Sequence, residues 1–549
     1  MKLNGAQIVI EQLLAHGVTT VFGYPGGVVL SLYDELYKNA DKINHILTAH
    51  EQGAAHAADG FARASGKTGV VIATSGPGAT NLVTGIANAY LDSVPLVAIT
   101  GNVAVPLLGR DSFQEVDIMG ITQSIVKHNY VVRDVGMLEH TLNEAFSIAG
   151  SGRRGPVLVD IPKSIQTDFC EYTGKPPAVE SKKQYSFDIE QVAAAIKNCK
   201  RPFIYAGGGV LASGAEAELR ALSEKLSAPV GFSMMGLSAL PDDYPLNLGM
   251  TGMHGKYAAT VAKSECDVLI ALGVRFSDRA TGNVNEYREG KLIIHVDIDL
   301  AEIGKNVASH MDICGDVKDV LTQLLPVLPQ KRNDEWLSRI EELKRSAQAA
   351  YISPGFSPQH IIETVRRFCG DDTVIATDVG QHQMWVVQHY TFQKPRTLLS
   401  SGGLGAMGYG LGAAIGACIA KNKQRTVLFT GDGSFGMNLN ELATAVSQEL
   451  PVVVVIFNNG VLGLPRQWQT VFFEGRYAHS TLNRKTDFVA LAKAFGAEGF
   501  SAENLLQLEQ ALNNLPSGKP AVIDCRIDMD EKVLPMIPPG GSVKNIIVN

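Results

Sequence analysis

Two stretches far apart in the chain follow one local order. "ATSGPGATNLVTGIANAYLDSVPLVAITGN", from Ala73, and "FTGDGSFGMNLNELATAVSQELPVVVVIFNN", from Phe429, each run strand, glycine turn, helix, strand. Thr74 to Pro95 and Thr430 to Pro451 both span 21 residues (95 − 74 and 451 − 430). A strand–helix–strand unit brings its second strand back parallel to the first, so a chain built from such units folds as α/β with parallel sheets. Short apolar runs alternate with longer amphipathic ones along the rest of the chain, and only two segments break the pattern. Residues 171–187, "EYTGKPPAVESKKQYSF", read as a linker, and residues 329–359 hold a charged helix followed by "ISPGFSPQ". The expected architecture is three doubly wound parallel-sheet domains, 1–185, 186–350 and 351–549, with the first and third related.

At 549 residues the chain is too long for one core. Its 45% apolar and 19% charged content is that of a soluble globular protein. A net charge of −7 with no basic block argues against a nucleic-acid partner. No apolar run approaches the roughly 20 residues of a membrane span, so no membrane partner is expected. Seven scattered cysteines with no C-x-x-C pair argue against a zinc site or a disulfide frame and for a reducing compartment. The N-terminus runs into a helical pattern with no charged segment and apolar core ahead of it. The expected location is the cytoplasm, the alternative being a matured form whose targeting segment is absent.

"GDGSFG" (431–436) fits G-x-G-x-x-G, a weak signal alone. A dinucleotide site needs an acid at the end of the next strand to bind ribose hydroxyls. That strand, "PVVVVIF", ends instead in Asn458-Asn459, and the acid, Asp432, lies inside the glycine turn. A bare carboxylate beside pyrophosphate is repulsive unless a cation lies between them. Asp432 and Asn459 both fall at carboxyl ends of parallel strands, where such sheets bind ligands. If the strands are neighbours, their oxygens suit Mg²⁺, with substrate phosphates completing its shell. The backbone of Gly431, Gly433 and Ser434 and the following helix N-terminus would hold phosphate oxygens. Gly-Asp-Gly with Asn-Asn beyond the next strand resembles the thiamine diphosphate (ThDP) signature.

ThDP chemistry needs a carboxyl group against the cofactor's pyrimidine ring. Glu51 of "ILTAHEQGAAHAADGFARASG" is the candidate, opening a helix of small residues. A glutamate at a helix start is equally explained by the helix dipole. Met407 stands among the glycines and alanines of "SSGGLGAMGYGLGAAIGA", where it reads either as a wedge beneath a cofactor or as core packing.

With these residues in hand, the whole chain resembles the catalytic large subunits of acetohydroxyacid synthase, also called acetolactate synthase. The resemblance runs from "VFGYPGG" (21–27) to "PMIPPGG" (535–541) through "TSGPGATN", "FQEVDIMGIT", "GPVLVDIPK", "GMTGMHG", "RFSDRATG", "HVDIDLAEIGKN", "GDGSFGMN" and "RQWQ". It implies decarboxylation of pyruvate and ligation of the two-carbon hydroxyethyl unit to a second 2-ketoacid, pyruvate or 2-ketobutyrate. That is the first common step towards the branched-chain amino acids. It also implies ThDP, Mg²⁺ and FAD as cofactors, a pyrimidine-binding first domain, a flavin-binding middle domain and a diphosphate-binding third domain. Subunits of the family share their sites, so a homodimer or homotetramer is expected.

The resemblance assigns roles to particular residues. Glu51 activates the cofactor, and Gly26 and Gly27 form a close-approach turn beside it. Phe113 and Gln114 line the reaction space, and Lys163 lies on the substrate channel. Asp432, Asn459 and the carbonyl of Val461 hold the metal, and Met407 bends the cofactor. Trp468 and Arg279 receive the second ketoacid, with Leu464 beside them. The flavin segments are Arg153, Gly207-Gly208-Gly209, Met253-His254, Arg275, Asp297 and Asp316. The chain departs from the family at Leu464-Pro465, where Met-Val is usual, and at Ser277, where Asp is usual. A proline there fixes φ and removes a donor.

Pyruvate oxidase, another ThDP–flavin enzyme, is the nearest alternative, and a fermentative acetolactate synthase is a second. A non-catalytic nucleotide-binding protein is the alternative outside enzymes, but it has no use for Glu51 or Asn458-Asn459. The residues leave open the ketoacid preference, flavin occupancy and a small regulatory subunit.

Overall fold

A computed structural model describes residues 1–174, 187–350 and 355–548. Three six-stranded sheets, parallel throughout, each flanked by helices, build the molecule. The domain boundary proposed near 185 lies outside the described residues, as does most of the 171–187 linker. The one proposed near 350 falls where the charged helix Asp334–Ala350 ends.

The first sheet takes its strands from Thr20–Tyr24, Asn44–Leu47, Gly69–Ala73, Leu96–Asn102, His128–Val131 and Pro156–Pro162. The third takes them from Val374–Thr377, Leu398–Leu399, Thr426–Gly431, Val452–Asn458, Glu498–Ala502 and Ala521–Arg526. Numbered along the chain within each sheet, both run 2-1-3-4-6-5 across the sheet. The two stretches that echo each other in sequence therefore occupy the same place, joining strands three and four. The middle sheet, from Pro202–Ala206 to Met311–Cys314, runs 3-2-1-4-5-6, the order of dinucleotide-binding folds. The Rossmann-spaced "GDGSFG" thus lies on a sheet without Rossmann order, and the Rossmann-ordered sheet lies elsewhere.

Strands buried on both faces must be apolar along their length, which "PVVVVIF" and "GVVIA" satisfy. The first and third domains meet through two helices, Glu51–Ser65 and Tyr409–Ala420. Both are lined with glycine and alanine because their backbones touch. A Cβ on Gly60 would stand 2.2 Å from the Ala413 carbonyl oxygen, and one on Gly416 would approach the Ala57 carbonyl oxygen even more closely. One sequence offset separates Ala57 from Ala413, Gly60 from Gly416 and Thr74 from Thr430. These two contacts are therefore exchanged by a pseudo-two-fold axis between the domains.

Candidate active site at the sheet switch points

In a 2-1-3 sheet the connections leave strands one and three in opposite directions, which opens a crevice at their carboxyl ends. In the first sheet the segments after these strands are Pro25-Gly26-Gly27 and Thr74–Gly78. They touch: a Cβ on Gly26 would lie 2.5 Å from the Thr74 side chain. A Cβ on Gly78 would lie 3.2 Å from Glu51 Oε1. Gly76, at φ +57°, lets the "FQE" loop dock, since a Cβ there would meet the Gln114 carbonyl at 2.7 Å. Gln114 itself holds φ +60°, a costly conformation for a non-glycine residue. The sheet edge thus gathers Glu51, Gly26, Thr74, Gly76, Gly78 and Gln114. Glu51 is the first residue of its helix, is 9% exposed, and accepts a 2.9 Å bond from Asn81 Nδ2. Lys163 follows Pro162 at the same carboxyl edge and is exposed. Phe113, next to Gln114, is 87% exposed.

In the third sheet strands three and four are neighbours, with Gly431 opposite Phe457. Asp432 is the first residue of helix Asp432–Asn438, after Gly431 as its cap, rather than part of an open turn. Its Oδ2 accepts the Gly460 N–H at 3.1 Å. Burial pushes its carboxyl up to about 6, against the pull of these backbone bonds. Asn459 Oδ1 accepts the Val461 N–H at 3.2 Å, and its amide reaches Gln381 Oε1 at 3.3 Å. A desolvated carboxylate and an amide oxygen on adjacent strand ends, with no cationic side chain bonded to either among the described residues, suit a hard cation. Ser434 is buried and donates to the Val379 carbonyl. Met407, half-buried, precedes Gly408, whose N–H bonds Asp378.

The segment after strand one supplies two residues that sequence reasoning missed, Gln381 and His382. A Cβ on Gly431 would lie 3.0 Å from His382 Nδ1. His382 is buried, its Nε2 has no partner among the described residues, and burial pushes it down to about 3. A neutral imidazole therefore faces the glycine turn. "DVGQHQ" directly after an apolar strand is the signal that could have found it.

In the middle sheet the crevice lies between strands one and four, where Gly207–Gly209 meet Gly273. Cβ atoms on Gly207 and Gly209 would clash with Gly273 backbone. Close packing of the two connections thus already requires two of the three glycines, and Gly208 is the roomier one. Arg275 follows Gly273, and burial, then the nearby Arg153 charge, lowers its pKa. Arg153 itself donates to Glu302 at 2.7 Å and to Ser93. Asp316 caps helix Val317–Leu324 through the Lys318 and Asp319 amides. Asp297 ends strand five, accepts the Asp299 N–H and is pushed up to about 6 by burial. His254 is buried, pushed down to about 4, with Nδ1 unpartnered among the described residues. The Arg275 guanidinium, with no hydrogen-bonded or ion-paired partner among the described residues, and the open His254 nitrogen fit a diphosphate-bearing group, whereas Arg153 and Asp316 are already engaged by the protein.

The structure does bring together the residues expected at the second ketoacid. The Arg279 guanidinium lies 5.5 Å from the Trp468 ring centroid, and Arg279 also reaches Met253 Sδ at 3.7 Å. Trp468 Nε1–H is buried without an acceptor among the described residues. Both departures from the family pattern fit locally. Pro465 lies in the first turn of helix Gly463–Phe472, where an N–H has no intrahelical acceptor. Leu464 packs on the third-domain core. Ser277 caps helix Asp278–Thr281, as an aspartate would. The C-terminal segment crosses this region: Val533 exchanges bonds with Gln467, and the Ile537 N–H reaches the Met253 carbonyl.

Comparison with known proteins matches this geometry domain by domain. Residues 3–121 match the thiamine pyrophosphate enzyme N-terminal TPP binding domain, 189–324 the central domain, and 378–525 the C-terminal TPP binding domain. The chain is thus a thiamine diphosphate-dependent enzyme. It is 44% identical to the probable acetolactate synthase large subunit of Methanocaldococcus jannaschii over 99% of this chain and 95% of that protein. It is 44% identical to the acetolactate synthase isozyme 2 large subunit of Escherichia coli over 98% of both chains. Isozyme 1 of that organism is 43% identical over 98% of this chain and 97% of its own. The chain belongs to the family of acetolactate synthase large subunits. No helix among the described residues is long and apolar enough to cross a membrane.

Proposed function

We propose that the protein joins a two-carbon unit from pyruvate to a second 2-ketoacid, giving 2-acetolactate from pyruvate or 2-aceto-2-hydroxybutyrate from 2-ketobutyrate. One observation carries this reading: two sheets of one topology present complementary chemistry at the same switch point. Glu51 stands at one, and Asp432 with Asn459 stands at the other. Thiamine diphosphate supplies, when bound, a nucleophilic carbon and an electron sink for the decarboxylation.

The chain's own residues bind, orient and exclude water. Glu51 holds a proton at the cofactor's pyrimidine ring. Asp432 and Asn459, with the Val461 carbonyl, would hold Mg²⁺, whose charge would offset the repulsion between the Asp432 carboxylate and a diphosphate. Gln381, His382, Gly431, Gly433 and Ser434 would hold the diphosphate, and Met407 would brace the cofactor. Gln114 reaches the reacting carbonyl, with Phe113 and Lys163 at the approach. Arg279 takes the second ketoacid's carboxylate through its guanidinium fork, and Trp468 packs on its alkyl end. FAD fits Gly207–Gly209, Arg275, His254 and Asp297, and carries no step in this net non-redox reaction. The C-terminal segment over Gln467 and Met253 keeps water from the site.

A second copy of the chain completes each site in this reading. Large apolar side chains left exposed on the segments that carry both half-sites support it: Tyr24 and Leu30 on either side of Gly26-Gly27, Phe113 next to Gln114, Leu404 shortly before Met407, and Met437 in the helix that Asp432 opens. The relatives are named large subunits, and a small regulatory partner is part of the proposal. The test gives purified protein both ketoacids with ThDP, Mg²⁺ and FAD. Acetohydroxyacid formation without oxygen uptake is expected. Oxygen consumed in step with pyruvate would overturn it in favour of an oxidase.

A further inference from the structure

The buried carboxylate of Glu441 belongs to the third domain, yet two of its three hydrogen-bond donors lie in the first. It sits between helix Asp432–Asn438 and helix Leu442–Ser447 and is fully buried. Its Oε1 accepts the His50 N–H at 2.9 Å, and its Oε2 accepts the Ala49 N–H at 3.2 Å. Thr444 Oγ1 donates to Oε2 at 2.6 Å. Ala49 and His50 are the two residues before Glu51. His50 caps Glu51's helix and Ala49 precedes the cap, so neither N–H has an acceptor within that helix, and such amides need acceptors when buried.

A second observation points the same way. Gly53, two residues past Glu51, has a side-chain position already taken, since a Cβ there would lie 2.0 Å from Glu441 Oε1. The carboxylate therefore bonds the backbone before Glu51 and packs against Gly53 after it. The site equivalent to Glu441 in the first domain, by the offset that relates the two sheets, is Gly85. The grip is not a product of the pseudo-symmetry. Holding an ion in a buried place is costly unless its bonds are complete, and burial does push this carboxyl up against its three bonds.

We propose that Glu441 is a positioning residue for Glu51: it fixes the backbone that aims the Glu51 carboxylate, and it ties that aim to the third domain of the same chain. This rests on the reading of Glu51 as the group that activates the cofactor. With sites shared between two chains, Glu441 links the diphosphate half of one site to the carboxylate of the other.

The experiment measures deuterium exchange at thiamine C2 in the holoenzyme, with cofactor affinity and thermal midpoint measured alongside. Glu441→Gln keeps the size but sets an amide donor against an amide donor. Exchange and kcat are expected to fall together by on the order of tenfold or more, as a misaimed catalytic group costs, with cofactor affinity within about twofold. Glu441→Asp should recover part of the loss. Gly53→Ala should mimic it, and Gly53→Ala combined with Glu441→Ala should be no slower than either alone. Unchanged exchange in Glu441→Gln, with only a lower midpoint, would overturn the inference. Glu51→Gln separates the two readings. If it leaves exchange unchanged, the reading of Glu51 itself fails. If it abolishes exchange while Glu441→Gln does not alter it, only the positioning role fails.

Discussion

The first and third sheets share a strand order, a glycine turn and a helix pair, yet each lacks what the other has. Along the shared sequence offset, Asp432 corresponds to Gly76, Asn459 to Val103 and Glu51 to Met407. What the two keep in common is structural. Asn102 donates to Asp160 at 2.6 Å in the first sheet, and Asn458 donates to Asp524 at 2.8 Å in the third. In each case an asparagine ending strand four bonds an aspartate on strand six. The first asparagine of "NN" therefore serves the sheet, and the second, Asn459, serves the crevice. Two copies of one fold thus carry different groups at the same crevice, Glu51 in the first and the Asp432 and Asn459 oxygens in the third, and in the proposed reading this divides the chemistry between them.

That division is broken or sharpened most by mixing chains. Glu51→Gln alone should cut turnover by on the order of 10²–10⁴, the range of general acid–base groups. Asp432→Ala alone should weaken Mg²⁺-dependent cofactor binding by on the order of 100-fold. If each site draws Glu51 from one chain and Asp432 from its partner, coexpressing both variants leaves every mixed dimer with one intact site. About a quarter of wild-type activity should return, since roughly half the dimers are mixed. No return above the parents, with mixed dimers confirmed by mass, would place both residues of a site on one chain.

The next effect concerns the helix pair that relates the domains. Gly60→Ala and Gly416→Ala each drive a methyl group into a carbonyl oxygen of the facing helix. Backbone cannot swing aside as a side chain can, so each should cost about 1–3 kcal/mol, as overpacking does. Gly27→Ala, with open space around its Cβ and no positive φ, should be neutral. Thermal unfolding of the three variants tests this. Similar midpoints throughout would deny that the two helices touch as closely as the pseudo-symmetry requires.

The repeat is legible in the sequence because its determinants are local: strand, turn and helix lie within some thirty residues. Asp432 is legible because a carboxylate in a phosphate-binding turn conflicts with that turn's usual use. The middle domain is less so. "AGGG" invites a phosphate cradle, whereas Gly207 and Gly209 are needed for contact with Gly273, more than sixty residues away. Asp316 and Arg153 look like ligand residues but meet a helix start and Glu302. Glu441 is not legible at all. Its partners, Ala49 and His50, are nearly four hundred residues distant, and no spacing rule connects them.

The smallest effect tests the common scaffold rather than the chemistry. Asp160 is buried between strands, accepts from Thr100 and Asn102, and is pushed up to about 7 by burial. An aspartate in the unfolded chain titrates near about 3.9. Between those values the folded chain holds a proton that the unfolded chain has released. This group's contribution is therefore full below about 3.9 and lost as pH rises through about 7. Asp160→Asn keeps an acceptor for Asn102 and gives Thr100 a donor in place of the proton. The variant's thermal midpoint should match wild type below about pH 4, pull ahead steadily as pH rises from there to about 7, and exceed it by a few degrees near pH 8. Asp524, also raised by burial but facing Arg526 as well as Asn458, feels an opposing charge that Asp160 lacks. Asp524→Asn should therefore gain less than Asp160→Asn over the same range. Equal gains would mean that burial alone sets both carboxyls, and that the two sheets differ only at their crevices.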